Sequence, residues 1–269
     1  MNTTQHPNSP SNLRRGLRHM AALTVLAAGL SPLAGQAAPL DDMVAFDAVY
    51  IPALAASTSA SQDARAVPKA VAAGQALDAR WPQLRSTLTV TWGSQPARAW
   101  TATLAAVDRQ ITLARTAAAA SNWKDAHEAL EDVRIELMKA RLGQGMDYFI
   151  DQLTAYHEPM EALTIAASTW KPAEIDAQRR AQLEQAVLHA AALWRGIERH
   201  TLDMAAYGLP PAGQAQLRQA LADESAALDR LTQAQRLGST EQVLKAAAGL
   251  KPAFARAFTA FGRSGGAAQ

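Results

Sequence analysis

The chain contains no cysteine. That excludes a disulfide, a thiolate metal site and covalently attached c-type haem, and leaves packing alone to hold the fold. An excess of one charge is also missing, with 26 Lys and Arg against 24 Asp and Glu, and no basic surface argues for nucleic acid. Runs of β-branched residues are scarce, which argues against a sheet. There is no G-x-S-x-G, no HExxH and no glycine loop of the kind that cradles phosphate, so no nucleophile, base and acid set can be picked out. Accordingly no catalytic residue is assigned, and a non-catalytic role is the first expectation.

What the chain does have begins with an export signal. Arg14, Arg15 and Arg18 precede the apolar run Ala21 to Ala34 and the small-residue end Gly35-Gln36-Ala37. A basic head, a core too short to span a bilayer and a small-x-small site predict a signal peptide over residues 1–37, cleaved after Ala37. The paired arginines loosely resemble the twin-arginine type of signal, but Leu13 stands where Ser or Thr is usual, so Sec-type export to the periplasm is the expectation. Removing the three arginines leaves 23 basic residues against 24 acidic ones, a net charge of about −1. No second apolar run is expected to reach membrane length, so a mature chain of about 232 residues without a membrane span follows, large enough for one large core or two small ones.

The mature chain, rich in Ala, Leu, Gln and Arg, reads as all-α. Eight helical stretches are predicted, over about 40–57, 62–85, 97–120, 122–143, 146–169, 174–201, 212–236 and 239–262. Pro52 should kink the first, Pro68 lies in the opening turns of the second or bends it, and Lys171-Pro172 ends the fifth. Asn122 with Asp125 and Ser239 with Gln242 read as helix caps. A repeat runs through this inventory. Trp92-Gly93-x-x-Pro96-Ala97 recurs as Tyr207-Gly208-x-x-Pro211-Ala212, Trp81 as Trp194, Asn122 as Ser239 and Gly145 as Gly262. The offsets drift by a few residues, as they do when loops change length, and predict a tandem of two up-down four-helix bundle units over residues 38–143 and 146–264, followed by a loose tail at 265–269.

At the junction of the two units lie HEALE, residues 127–131, and HEPME, residues 157–161, on either side of Gly143-Gln144-Gly145. If the chain reverses at Gln144, residues whose numbers sum to 288 face one another, pairing His127 with Glu161 and Glu131 with His157. Within each helix His and Glu are four apart and share one strip of surface. At about 100° per residue, His127 and Glu131 lie roughly 60° and 100° from an apolar face centred on Leu130, and His157 and Glu161 roughly 40° and 80° from one centred on Leu153. Antiparallel packing turns both strips to the same side. Glu128 and Glu158 fall on the helix backs as solvated charge. His127, Glu131, His157 and Glu161 are therefore the candidate metal ligands, a donor set of two nitrogens and two carboxylates suited to zinc, iron, manganese or copper. The plainer alternative is a hairpin pinned by cross-helix His–Glu pairs, each contributing at most about 1 kcal/mol. If residues 143–145 instead continue one helix, the two histidines are about 45 Å apart and share nothing.

Met43, Met138, Met146 and Met160 raise a second cofactor, haem. In bundle architecture and export the chain is similar to the periplasmic cytochromes of the b562 kind, a resemblance that implies a methionine ligand on the first helix and a histidine on the fourth. Met43 and His127 are on those helices but near opposite ends of the bundle, so the pair does not carry over, and the methionines read as core filler. Arg134 and Arg141, near the apolar face of the fourth helix, read as snorkelling stems that could also clamp an acidic ligand or pair with Glu161. His189 and His200 read as surface or bundle-edge residues. Three functions stay open from sequence: transition-metal binding at the junction, b-type haem binding or electron transfer, and a structural module that contacts a periplasmic protein partner; an enzyme is a further possibility if the His127, Glu131, His157 and Glu161 set holds a redox metal with an open position.

Overall fold

A computed structural model describes residues 37–92 and 97–263. Residues 1–36 of the expected signal, the turn at 93–96 and the tail at 265–269 lie outside the described residues. Among the described residues every regular element is helical and there is no strand. The nine α-helices among the described residues are α1 (Ala37–Gln62), α2 (Val67–Trp92), α3 (Ala97–Ala119), α4 (Trp123–Gly143), α5 (Phe149–Thr169), α6 (Ala177–Arg199), α7 (Pro211–Leu237), α8 (Thr240–Ala247) and α9 (Leu250–Ala260). Short 3-10 turns cover 64–66, 172–174 and 261–263.

Several boundaries depart from the sequence reading, among them the start of α5 at Phe149 and not at 146, and two of the departures follow from prolines. The expected eighth helix is broken into α8 and α9 at Ala248-Gly249. Pro252 has no amide hydrogen to return to the Ala248 carbonyl, so a continuous helix would lose that bond and clash there. The second helix starts later than expected, with Pro68 at its second position, and runs past an internal Pro82 to Trp92. The predicted caps are in place: the Asn122 side chain accepts from the Asp125 amide at 3.2 Å, and Ser239 and Gln242 form a reciprocal capping box.

The turn after α4 decides how the candidate ligands are placed. The Met146 amide donates to the Arg141 carbonyl at 3.0 Å and the Gly145 amide to the Leu142 carbonyl at 3.0 Å. That pair of bonds is a Schellman cap, with Gly145 at φ 68 in the left-handed region that favours glycine. The chain therefore reverses here, as a hairpin requires.

In packing, α1 meets α2 and α4, while α3 lies against both α2 and α4. Likewise α5 meets α6, α8 and α9, and α7 lies against α6, α8 and α9. All described residues fall within one compact unit, and a single apolar cluster runs from Met43 on α1 through Leu153 on α5 to Phe258 on α9. A smaller cluster of alanines surrounds Trp123. The helix α1 is the central element, since it also touches α9 and the 3-10 turn that follows it. Gly262 in that turn comes so near that a Cβ would lie 2.8 Å from Ile51 Cγ2 and 2.9 Å from Pro52 Cδ.

This centrality corrects the hydropathy expectation. Leu40–Gln62 is long and apolar enough to cross a membrane by length and composition. Here 56 % of its apolar window is buried inside the helical assembly. A helix apolar all round is what burial on several sides demands.

Candidate functional site

The apolar faces centred on Leu130 and Leu153 turn inward. Trp123, Ala126, Leu130, Val133 and Leu137 of α4 are buried, as are Phe149, Leu153, Tyr156 and Met160 of α5. Glu128 and Glu158 are exposed. With those faces fixed inward, His127, Glu131, His157 and Glu161 all turn into one cavity of about 310 Å³. Its remaining walls come from α1 (Leu54, Thr58) and α9 (Lys251, Phe254, Phe258).

Glu131 is the centre of the set. Its Oε1 is 3.5 Å from His127 Nε2, and its Oε2 is 3.9 Å from His157 Nδ1. His157 Nδ1 is also 3.8 Å from Glu161 Oε2. The expected opposition of Glu131 and His157 is thus present, whereas His127 comes within 4.0 Å of the Glu131 carboxylate and not of Glu161. Glu161 reaches outward to Lys251, Oε1 to Nζ at 3.9 Å.

The hydroxyls of α1 fix the His127 ring. Ser57 Oγ and Thr58 Oγ1 lie 3.3 and 3.0 Å from Nδ1, and both hydroxyls also lie within reach of the Leu54 carbonyl, at 2.7 and 3.2 Å. These contacts hold the ring in place through Nδ1, and the hydroxyls can serve it as acceptors or as donors. Nε2 is left facing the Glu131 carboxylate and the cavity. On His157, Nδ1 lies 2.6 Å from Arg134 Nη2. A guanidinium only donates, so there the lone pair is on Nδ1. Both imidazoles are held neutral. Burial, then the positive charges of Arg134 and Lys251, pushes His127 down to about 4. The same causes in the same order push His157 down to about 2.

Arg134 does not snorkel. It is 5 % exposed, its Nη2 donates to Glu131 Oε2, and its guanidinium lies 5.5 Å from the Phe258 ring centroid. Its Nε–H is buried without a hydrogen-bond partner. A cation of the protein's own therefore sits among the acceptors that the sequence reading assigned to a metal. Among the described residues no group of three or more His, Cys, Asp or Glu side chains stands ready to hold a metal ion.

Arg141, also expected to snorkel, is instead 3 % exposed and pairs bidentately with Asp151 of α5, its Nε donating at 2.8 Å to Oδ2. The guanidinium also covers the Tyr148 ring and donates to Met43 Sδ at 3.1 Å. Tyr148 in turn donates to Asp47 of α1, whose carboxyl burial pushes up to about 6. This network joins α1, α4 and the start of α5, and it places Met43 in the core. The surface reading of the other histidines holds for His189, which is exposed. His200 is partly buried, with Nδ1 2.8 Å from Gln152 Nε2 and 3.9 Å from Asp147 Oδ1.

Sequence reasoning missed Lys251, Phe254, Ser57 and Thr58 as members of the site. The Phe254 ring lies 5.3 Å from that of His157. No helical periodicity links these residues to the hairpin, because they arrive from helices packed against it. No known protein family matches the chain, and it matches no curated protein and no solved structure.

Proposed function

We propose that the chain is an exported, periplasmic, non-catalytic protein that binds one transition-metal ion between His127, Glu131 and His157, with Glu161 as the outer ligand. The arrangement of the two helical rings, α1 to α4 and α5 to α9, is read as two copies of one four-helix unit, and the site lies where the copies meet. The observation that carries the reading is the His127 ring. Its Nδ1 is anchored on α1 while its Nε2 faces a carboxylate oxygen 3.5 Å away. An imidazole fixed through its far nitrogen is how metal-bound histidines are oriented. Neutral rings need lose no proton on binding. The ion takes the place of the Arg134 guanidinium beside Glu131 and His157. Two nitrogens and two carboxylates without sulfur suit zinc, copper, iron or manganese.

The test is elemental analysis of protein purified from the periplasm without an affinity tag, beside a His127→Ala/His157→Ala double variant. About one transition-metal ion per chain is expected in the wild type, and none in a variant that keeps its helical circular dichroism. Neither protein retaining or taking up any metal would remove this function.

A further inference from the structure

The apolar core is interrupted within the ring formed by α1 to α4. The large cluster includes Leu77, Ile111 and Leu130, and the smaller one gathers Ala70 and Ala126 about Trp123. Between them lies a cavity of about 250 Å³ that takes walls from all four helices and shares residues with both clusters. It opens where small residues meet, Ala53, Ala70, Gly74 and Ala114 among them, and a Cβ added at Gly74 would meet no atom within 4 Å. In addition, α2 and α3 pack on each other more sparsely than α2 packs on α1 or α3 on α4. On the two-copy reading, with Trp81 aligned to Trp194 and Pro52 to Pro159, the other ring sets buried Leu183, Val187 and Met160 where this one has Ala70, Gly74 and Ala53.

The chemistry of the walls narrows what could fill the space. Inside, the one polar side chain is Ser57, 3 % exposed and 2.7 Å from the Leu54 carbonyl. Such a lining gives water too few partners, and an apolar cavity of roughly 150 Å³ already admits benzene. Charged groups stand only at the mouth, Asp78 on α2 and Arg115 on α3. Among the described residues neither makes a hydrogen bond or an ion pair, although the Arg115 charge acts on the Asp78 carboxylate. A carboxylate accepts and does not donate, so the partner it lacks is a donor. A cationic ligand would be repelled by Arg115 and an anionic one by Asp78, whereas a neutral O–H or N–H meets neither cost.

We propose that this cavity binds one small, uncharged aromatic molecule of phenol or indole chemistry, its rings between Gly74, Ala114 and Trp123 and its single O–H or N–H donating to Asp78. The ligand would join the two apolar clusters that the cavity separates.

The probe is 2-naphthol, titrated by calorimetry into the full mature chain without added metal, so that its outcome is independent of the metal site. One molecule per chain is expected, with a raised melting temperature. Naphthalene, 2-naphthoate and 2-naphthylmethylamine, which lack the donor or carry a charge, are expected to bind tenfold or more weakly. Gly74→Val narrows the cavity and is expected to weaken 2-naphthol at least tenfold, while melting at or above the wild-type temperature without ligand, because a helix prefers valine to glycine. Asp78→Ala is expected to bring 2-naphthol down to the affinity of naphthalene. No saturable binding of 2-naphthol overturns the proposal, and so does binding that is unchanged in Gly74→Val. Tighter binding of either charged analogue than of 2-naphthol overturns the assigned ligand chemistry.

Discussion

Glu224 on α7 is fully buried in the ring formed by α5 to α9. One oxygen accepts from Tyr156 at 2.5 Å and the other has no hydrogen-bond partner. Burial pushes its carboxyl up from 4.5 to about 7. A carboxyl whose folded pKa is raised gives stability that is fully present below its unfolded pKa and is lost as pH rises through the folded one. The window is therefore about pH 4.5 to 7. A shift of this size corresponds to about 3 kcal/mol in full, of which roughly 2–3 kcal/mol falls between pH 5 and 8. Wild type alone is a poor readout. Asp47, raised to about 6, acts in the same direction, whereas His127 and His157, both lowered, lose stability as pH falls below about 6.5. The difference between wild type and Glu224→Gln cancels those contributions. Urea unfolding at pH 5 and at pH 8 should show the variant gaining roughly 2–3 kcal/mol relative to wild type at the higher pH. A difference that stays constant within about 0.5 kcal/mol across that range would refute the buried, poorly paired carboxyl as the cause.

Three smaller perturbations address the turn, the junction and the cavity wall. Gly145→Ala meets no atom within 4 Å, so its whole effect is the left-handed backbone, a loss of about 1 kcal/mol in chemical denaturation. Arg141→Met leaves Asp151 buried without its partner, and about 3–5 kcal/mol of stability should go with it, a larger fall in melting temperature than any exposed ion pair gives when broken. Phe254→Leu removes the ring beside His157 and should lower stability by about 1–2 kcal/mol, read by thermal melting, while helical content is unchanged.

The parts of this fold legible in the sequence are those that depend on neighbours along the chain. A 100° advance per residue placed His127 and Glu131 beside the Leu130 face and His157 and Glu161 beside the Leu153 face, and glycine with its helix-stop neighbours marked the reversal at 143–145. The caps at Asn122 and Ser239 are likewise local. What was not legible depends on packing between distant segments. Lys251 and Phe254 are about ninety residues from HEPME, and only the break at Ala248-Gly249 lets α9 run along the site. Its signal, Pro252, was visible, but the capping box and apolar period before it favoured one long helix. Arg134 was read as a surface stem because a wheel gives an angle and not the depth of the neighbouring helices. With α1, α5 and α9 around it, the same angle is interior.

His127 is oriented by Ser57 and Thr58 of α1, and the far wall is α9. α1 and α9 touch each other. The hairpin α4–α5 carries all four candidate ligands but none of these supports, and its two helices share few contacts of their own. If the ligands worked as a local hairpin motif, residues 122–170 alone would bind metal. If they depend on the closed fold, binding must be linked to global unfolding, and a metal ion at a hundred times its dissociation constant adds about 2.7 kcal/mol to the stability of the whole chain. For a chain of this size that raises the melting temperature by about 5–10 °C, with one cooperative transition before and after. Calorimetry with Co2+ on the mature chain, and a Co2+ titration of the 122–170 peptide, separate the two. The expected result is a shifted single transition and a silent peptide. A peptide that binds as tightly as the protein would mean that α1 and α9 merely cover the ligands without placing them.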